Sequence, residues 1–153
     1  MFKYILSILV CLMAGFIGSF FTSPAIQGWY ANVTKPSFNP PNWIFAPMWT
    51  LLFILMGIAV ALVLSKGWSV PSVKIAVILF GVHLILNVLW SVFFFGMQNP
   101  ALAFVEIIIL WLMIALLIFL FFKIDMRAGW LMIPYILWVS FAAILNFAIW
   151  RLN

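Results

Sequence analysis

Charge is what this sequence has least of. Two acidic residues, Glu106 and Asp125, seven basic residues and one histidine are all that 153 positions contain. Charged residues make up 6% of the chain, against roughly 25% in an average soluble domain, too few to coat a globule with water-compatible side chains. The basic residues are scattered one or two at a time, so the net charge of +5 is not a nucleic-acid footprint. One cysteine, Cys11, excludes an intrachain disulfide and a cysteine-based metal cluster. Period-two alternation is missing, which argues against a transmembrane β-barrel. There is no internal repeat, low-complexity tail, nucleotide loop or nucleophile–base pair, so ordinary catalysis has no residues to carry it.

Apolar surface is abundant instead. The chain is 69% hydrophobic, which excludes disorder and leaves an all-α integral membrane protein as the fold class. A membrane-crossing helix needs about 20 apolar residues to traverse about 30 Å of hydrocarbon, so five spans fit and seven do not. They fall at about 4–23, 44–65, 72–95, 101–122 and 128–150 of a single domain covering residues 1–153. The first could pass for a signal peptide. Its apolar stretch exceeds the usual run of about 7–15 residues, however, and is read as a retained span. Ala14, Gly15, Gly18 and Ser19 within it have the small-xxx-small spacing that lets helix backbones approach closely.

Five spans put the termini on opposite sides. Lys3, Lys66, Lys74, Lys123 and Arg127 share the N-terminal side, whereas Lys35 and Arg151 lie on the other. The excess places the N-terminus in the cytoplasm and the C-terminus outside.

The segment 24–43 is the least uniform part of the chain. Pro24, Pro36, Pro40 and Pro41 interleave with Trp29, Tyr30, Phe38 and Trp43. Prolines restrict the backbone, and a connection this long is often a binding lid; the competing reading is an interfacial aromatic belt.

Polar side chains inside the spans are few: His83, Asn87, Glu106, Asn146 and several indoles. His83, Asn87 and Trp90 share one helix face, which suits a helix–helix hydrogen bond. Haem ligation by His83 is the sharper alternative, but no second axial candidate accompanies it. Glu106 is expected beside a partner such as His83 or an indole N–H, or protonated by desolvation, in a structural or cavity-lining role. Pro134, Trp138, Ala142 and Asn146 recur at intervals of four in the last span, as Trp49, Phe53 and Gly57 do in the second. Two such stripes either pack as core or wall a pocket for a flat aromatic ligand held by stacking and indole N–H donors.

Read together, Trp29-Tyr30, Lys35-Pro36-Ser37-Phe38-Asn39-Pro40-Pro41-Asn42-Trp43 and Pro47-Met48-Trp49-Thr50 resemble the signature of the TspO/MBR family. This family comprises the tryptophan-rich sensory and translocator proteins, including the peripheral-type benzodiazepine receptor. The resemblance continues through Gly57-Ile58-Ala59, Asn87, Trp90-Ser91, Pro134-Tyr135-Ile136-Leu137-Trp138, Phe141-Ala142, Leu145-Asn146 and Trp150, over essentially the whole chain.

The resemblance implies a five-helix bundle, usually a homodimer, with a long loop folded over a pocket. It implies binding of porphyrins, above all protoporphyrin IX, and of haem as ligand rather than obligatory cofactor, with no resident metal. Trp49 and Trp138 then look like facing pocket indoles, Asn87 and Tyr30 like polar contacts, and Phe53, Trp90 and Ala142 like pocket walls. Trp29, Pro36, Phe38, Pro40 and Pro41 belong to the lid. The family's cholesterol-recognition pattern needs a tyrosine where Phe147 or Trp150 stands, so sterol binding is not expected and a prokaryotic cell membrane fits better. The resulting expectation is a membrane receptor or sensor for tetrapyrroles. The alternatives are a light- and oxygen-dependent porphyrin-degrading enzyme using Trp49 and Trp138, and a porphyrin or lipid carrier.

Overall fold

The computed structural model describes all 153 residues and contains helices and no strand. Helix α1 spans Phe2–Gln27 and is followed by one short turn of helix, α2, at Trp29–Asn32. A 3₁₀ turn at Asn42–Ile44 leads into α3, Phe45–Leu64. Helix α4, Pro71–Ser91, continues as a π-helical turn over Val92–Gly96. Helix α5 is Pro100–Ile124, and α6, Met126–Leu131, is followed by α7, Ile133–Leu152. Five helical segments are long and apolar enough to cross a membrane. Helix is the form such a chain must take, because hydrocarbon offers no partner for exposed backbone N–H and C=O groups.

Helix starts follow local chemistry. Pro71 and Pro100 open α4 and α5, where the missing N–H has no intrahelical partner to lose. Asn99 caps α5 by accepting from the Leu102 N–H at 3.0 Å. Asp125 caps α6 by accepting from the Arg127 N–H at 2.9 Å.

Three boundaries differ from the sequence reading. Helix α1 runs through Pro24, and residues 29–32 are helical, so the irregular connection is confined to the residues between Asn32 and Asn42. Thr22 returns its hydroxyl to the Gly18 carbonyl one turn back, at 3.2 Å. The last span is broken at Met132 into α6 and α7, because Pro134 cannot donate the backbone bond that would join them. The π turn ends the third span and places the consecutive residues Phe94 and Phe95 both in the interior.

Helix α5 packs centrally against α4 and α7, and α1 lies along α3. The α1–α3 crossing is close at Gly57, where a Cβ would stand 2.5 Å from the Ile8 Cα. Near the end where α3 finishes, α3, α4 and α5 interlock through Met56, Val60, Val63, Phe80, Ile114, Leu117 and Phe121. Leu9, Phe16, Ile78, Ile85, Leu112 and Leu137 lie on the outside, as a lipid-facing surface requires.

Candidate ligand cavity

A cavity of about 430 Å³ opens at the other end, where α1, α3, α4, α5 and α7 diverge beneath the connecting loop. Tyr30, Trp49, Phe53, Asn87, Trp90, Trp138 and Ala142, from four elements, all contribute to its wall. The volume lies within the roughly 300–1,000 Å³ typical of small-molecule sites.

The indoles divide into two kinds. Trp90 Nε1 donates to Asn146 Oδ1 at 2.9 Å, and Asn146 Nδ2 donates onward to the Pro100 carbonyl at 2.8 Å. This pair ties α4 to α7 and to the start of α5, so Trp90 offers a ligand its ring and not its N–H. Trp138 Nε1, by contrast, is buried with no acceptor. Its ring is bracketed by Phe45 at 6.1 Å and Phe141 at 5.6 Å between centroids. Trp49 also keeps its N–H uncommitted; its ring leans on Phe53 at 5.6 Å and meets Tyr135 edge-on at 6.3 Å. A buried donor without an acceptor costs about 1–3 kcal/mol, which a ligand acceptor at that position recovers.

Asn87 donates through Nδ2 to Tyr135 Oη at 2.7 Å, which leaves Oδ1 as a free acceptor. Tyr30 is less available than the sequence suggested. Its hydroxyl donates to Asn39 Oδ1 at 3.0 Å, and its ring sits among Phe94, Phe95 and the Lys35 ammonium, 4.6 Å from the ring centre. Burial holds the Tyr30 hydroxyl above the usual phenol range. Tyr30 therefore presents ring rather than hydroxyl to the cavity, and fastens the loop.

None of the lid residues Trp29, Pro36, Phe38, Pro40 and Pro41 lines the cavity. Two of them pack on residues of its wall from outside: Trp29 edge-on against Phe94 at 5.6 Å, and Phe38 against Phe141 at 6.2 Å. Asn153 bridges Thr34, accepting from its N–H at 3.1 Å and donating to its carbonyl at 2.8 Å.

The remaining polar groups stand away from the cavity. His83 is fully buried, with Nδ1 2.9 Å from the Phe80 carbonyl and Nε2 2.8 Å from Tyr135 Oη. A carbonyl only accepts, so Nδ1 carries the proton and Nε2 accepts from the tyrosine. Both ring nitrogens are thus occupied, which leaves His83 no lone pair for a haem iron. Glu106 does not find the expected partner, neither His83 nor an indole; both of its oxygens are buried without a hydrogen bond, and it is outside the cavity wall.

Several wall residues escaped the sequence reading. Phe94 and Phe95 did so because α-helical phase, about 100° per residue, points neighbours in different directions, and only the π turn turns both inward. Ala14, Gly15, Gly18 and Ser19 of α1 carried a packing signal alone, yet they line the cavity too.

Five membrane-length helices around an aromatic cavity with no charged side chain in its wall define the class, an integral membrane protein. The chain belongs to the TspO/MBR family, whose model matches residues 7–151. It is 47% identical over 144 residues to tryptophan-rich protein TspO of Chlorobaculum tepidum, covering 94% of this chain and 91% of that one. It is 46% identical over 152 residues to the protein of the same name from Archaeoglobus fulgidus, with 99% and 97% covered. The human translocator protein is similar at 31% identity over 139 residues, with 90% of this chain and 82% of that protein aligned.

Proposed function

We propose that this TspO/MBR family membrane protein is a receptor or sensor that holds a porphyrin, protoporphyrin IX or haem, in the cavity between its helices. One observation carries the reading: the Trp49 and Trp138 indoles line one apolar cavity with N–H groups that no residue of the chain accepts. A flat, conjugated ligand with ring or substituent acceptors supplies both the stacking surface and the missing acceptor. No charged side chain lines the cavity, so porphyrin carboxylates belong at its mouth, near Asn42 and the loop. The N-terminal side, with five of the seven basic residues, is assigned to the cytoplasm.

Titration of protoporphyrin IX into the protein in lipid nanodiscs should give a saturable shift of the porphyrin absorption band and quenching of tryptophan fluorescence. Trp49→Phe and Trp138→Phe should each weaken binding by about fivefold, the equivalent of about 1 kcal/mol for one lost hydrogen bond. Non-saturating uptake, equal in empty nanodiscs, overturns the reading. A second reading, light- and oxygen-dependent breakdown of the bound porphyrin, draws on the same two indoles, which are oxidisable rings set directly in the wall. Loss of porphyrin absorption only under illumination separates turnover from binding.

A further inference from the structure

Tyr135 and His83 are a polar pair that porphyrin binding does not use. Both are fully buried, and neither lines the cavity. The hydrogen bonds around them assign every proton. Asn87 Nδ2 donates to Tyr135 Oη at 2.7 Å, Tyr135 donates to His83 Nε2 at 2.8 Å, and His83 Nδ1 donates to the Phe80 carbonyl at 2.9 Å. A phenol that already donates to the Nε2 lone pair of a neutral imidazole can lose an electron and pass its proton along that hydrogen bond. The Tyr135 ring also meets the Trp49 indole edge-on, 6.3 Å between centroids, and Trp49 faces the cavity.

We propose that Tyr135 and His83 form a proton-coupled relay that restores Trp49 after its one-electron oxidation. This rests on the light-driven reading of the cavity, in which the oxidant is a photoexcited planar aromatic ligand that keeps the electron it takes from Trp49. The step then balances within the chain. One electron passes from the Tyr135 phenol to the Trp49 radical cation; the Tyr135 O–H bond breaks and an N–H bond forms at His83 Nε2. The products are neutral Trp49, a neutral Tyr135 radical and a His83 imidazolium.

The buried charge moves but does not grow, which matters where new charge is costly. The imidazolium is received by the Phe80 carbonyl at Nδ1 and by the Phe80 ring, 4.9 Å away. Trp138 has no equivalent relief, because its bracketing rings, Phe45 and Phe141, are phenyl groups far harder to oxidise. The two indoles, alike toward a ligand, therefore differ in fate: Trp49 is regenerated and Trp138 accumulates oxidation.

Two illuminated samples test this. The first carries bound protoporphyrin IX, quantified by absorbance. The second carries none, but has a thiol-linked ruthenium polypyridyl sensitiser at Ala46→Cys, at the cavity mouth one turn from Trp49, with dissolved hexaammineruthenium(III) as the acceptor that takes an electron from the excited label and leaves it as the Ru(III) oxidant; buried Cys11 does not compete for the label. Electron paramagnetic resonance should detect a tyrosyl radical in both, and its formation should slow in D₂O. Tyr135→Phe should abolish that signal and leave a tryptophan radical. His83→Gln, which keeps a hydrogen-bond acceptor and removes the base, should do the same, whereas Tyr30→Phe should not. A tyrosyl radical in the sensitiser sample without saturable porphyrin binding upholds the relay and removes the porphyrin reading. Porphyrin binding with only tryptophan radicals in both wild-type samples overturns the relay, as does a tyrosyl signal that survives His83→Gln with no isotope effect.

Discussion

The two ends of this bundle are made of similar residues and behave in opposite ways. Where α3 finishes, Met56, Val60 and Val63 interdigitate with Phe80, Ile114 and Phe121, and α1 lies against Gly57 so closely that no Cβ fits. Where α3 begins, the same helices carry Trp49, Phe53, Trp90 and Trp138, and rings too large to interlock leave a cavity of about 430 Å³. Aliphatic chains and glycine bring backbones together; indoles and phenyl rings, braced by hydrogen bonds such as Trp90 to Asn146, hold them apart. Closure stabilises the fold at one end, and the gap at the other is available to a ligand.

The contrast is broken most severely by adding volume at the closed end. Gly57→Val should cost more than the roughly 1–3 kcal/mol usual for overpacking, since the obstacle is the Ile8 backbone and not a side-chain tip. Thermal unfolding in detergent, followed by circular dichroism, should show a large fall in midpoint or no folded protein. At the open end, Ala142→Phe adds even more volume but points it into empty space. It should leave the unfolding midpoint nearly unchanged while abolishing porphyrin binding; a midpoint loss matching that of Gly57→Val would mean that the open end is as tightly packed as the closed one.

Smaller effects sharpen the comparison. Trp111 is a tempting control for the pocket tryptophans, being outside the cavity, but its Nε1 donates to Ser140 Oγ at 2.8 Å and links α5 to α7. Trp111→Phe should therefore lower the unfolding midpoint while leaving porphyrin affinity unaltered, and exposed Trp130→Phe should change neither. At the closed end Asp125 is met by Arg127 at 2.9 Å and by Lys66 at 3.6 Å, which lowers its carboxyl from 3.8 to about 2. A depressed carboxylate stabilises the fold above its ordinary range, and that contribution disappears as pH falls from about 4 toward about 2. Unfolding midpoints measured across this window should decline less steeply in Asp125→Asn. The smallest effect is expected at the loop, where Asn153→Ala removes both bonds to Thr34. Hydrogen exchange should quicken around Thr34 without a change in the midpoint.

Much of this was legible one residue at a time. Helical periodicity put Trp49 with Phe53, Asn87 with Trp90, and Trp138 with Ala142 on shared faces, and the family resemblance implied that these six and Tyr30 meet at one cavity, whose wall includes all seven. Tyr30 shows the limit of that reading: its place was legible, but the bond to Asn39 that occupies its hydroxyl was not. Phe94 and Phe95 were hidden by a π turn that no local propensity announces. Glu106 was read as either partnered or protonated by desolvation; its two oxygens are buried without a hydrogen bond, which rules out only the partnered alternative.

The sequence by itself determined that this chain lives in a membrane, that it crosses as five helices, and which tryptophans share a helix face with small neighbours. Those properties follow from composition and period, which are local and survive any arrangement of the helices. Only the tertiary structure decided which N–H groups remain uncommitted, that His83 and Tyr135 share a proton path, and that the helices part at one end and close at the other. These depend on the register in which separate helices meet: Trp90 reaches Asn146 across 56 residues and His83 reaches Tyr135 across 52, distances in sequence over which no periodicity carries information.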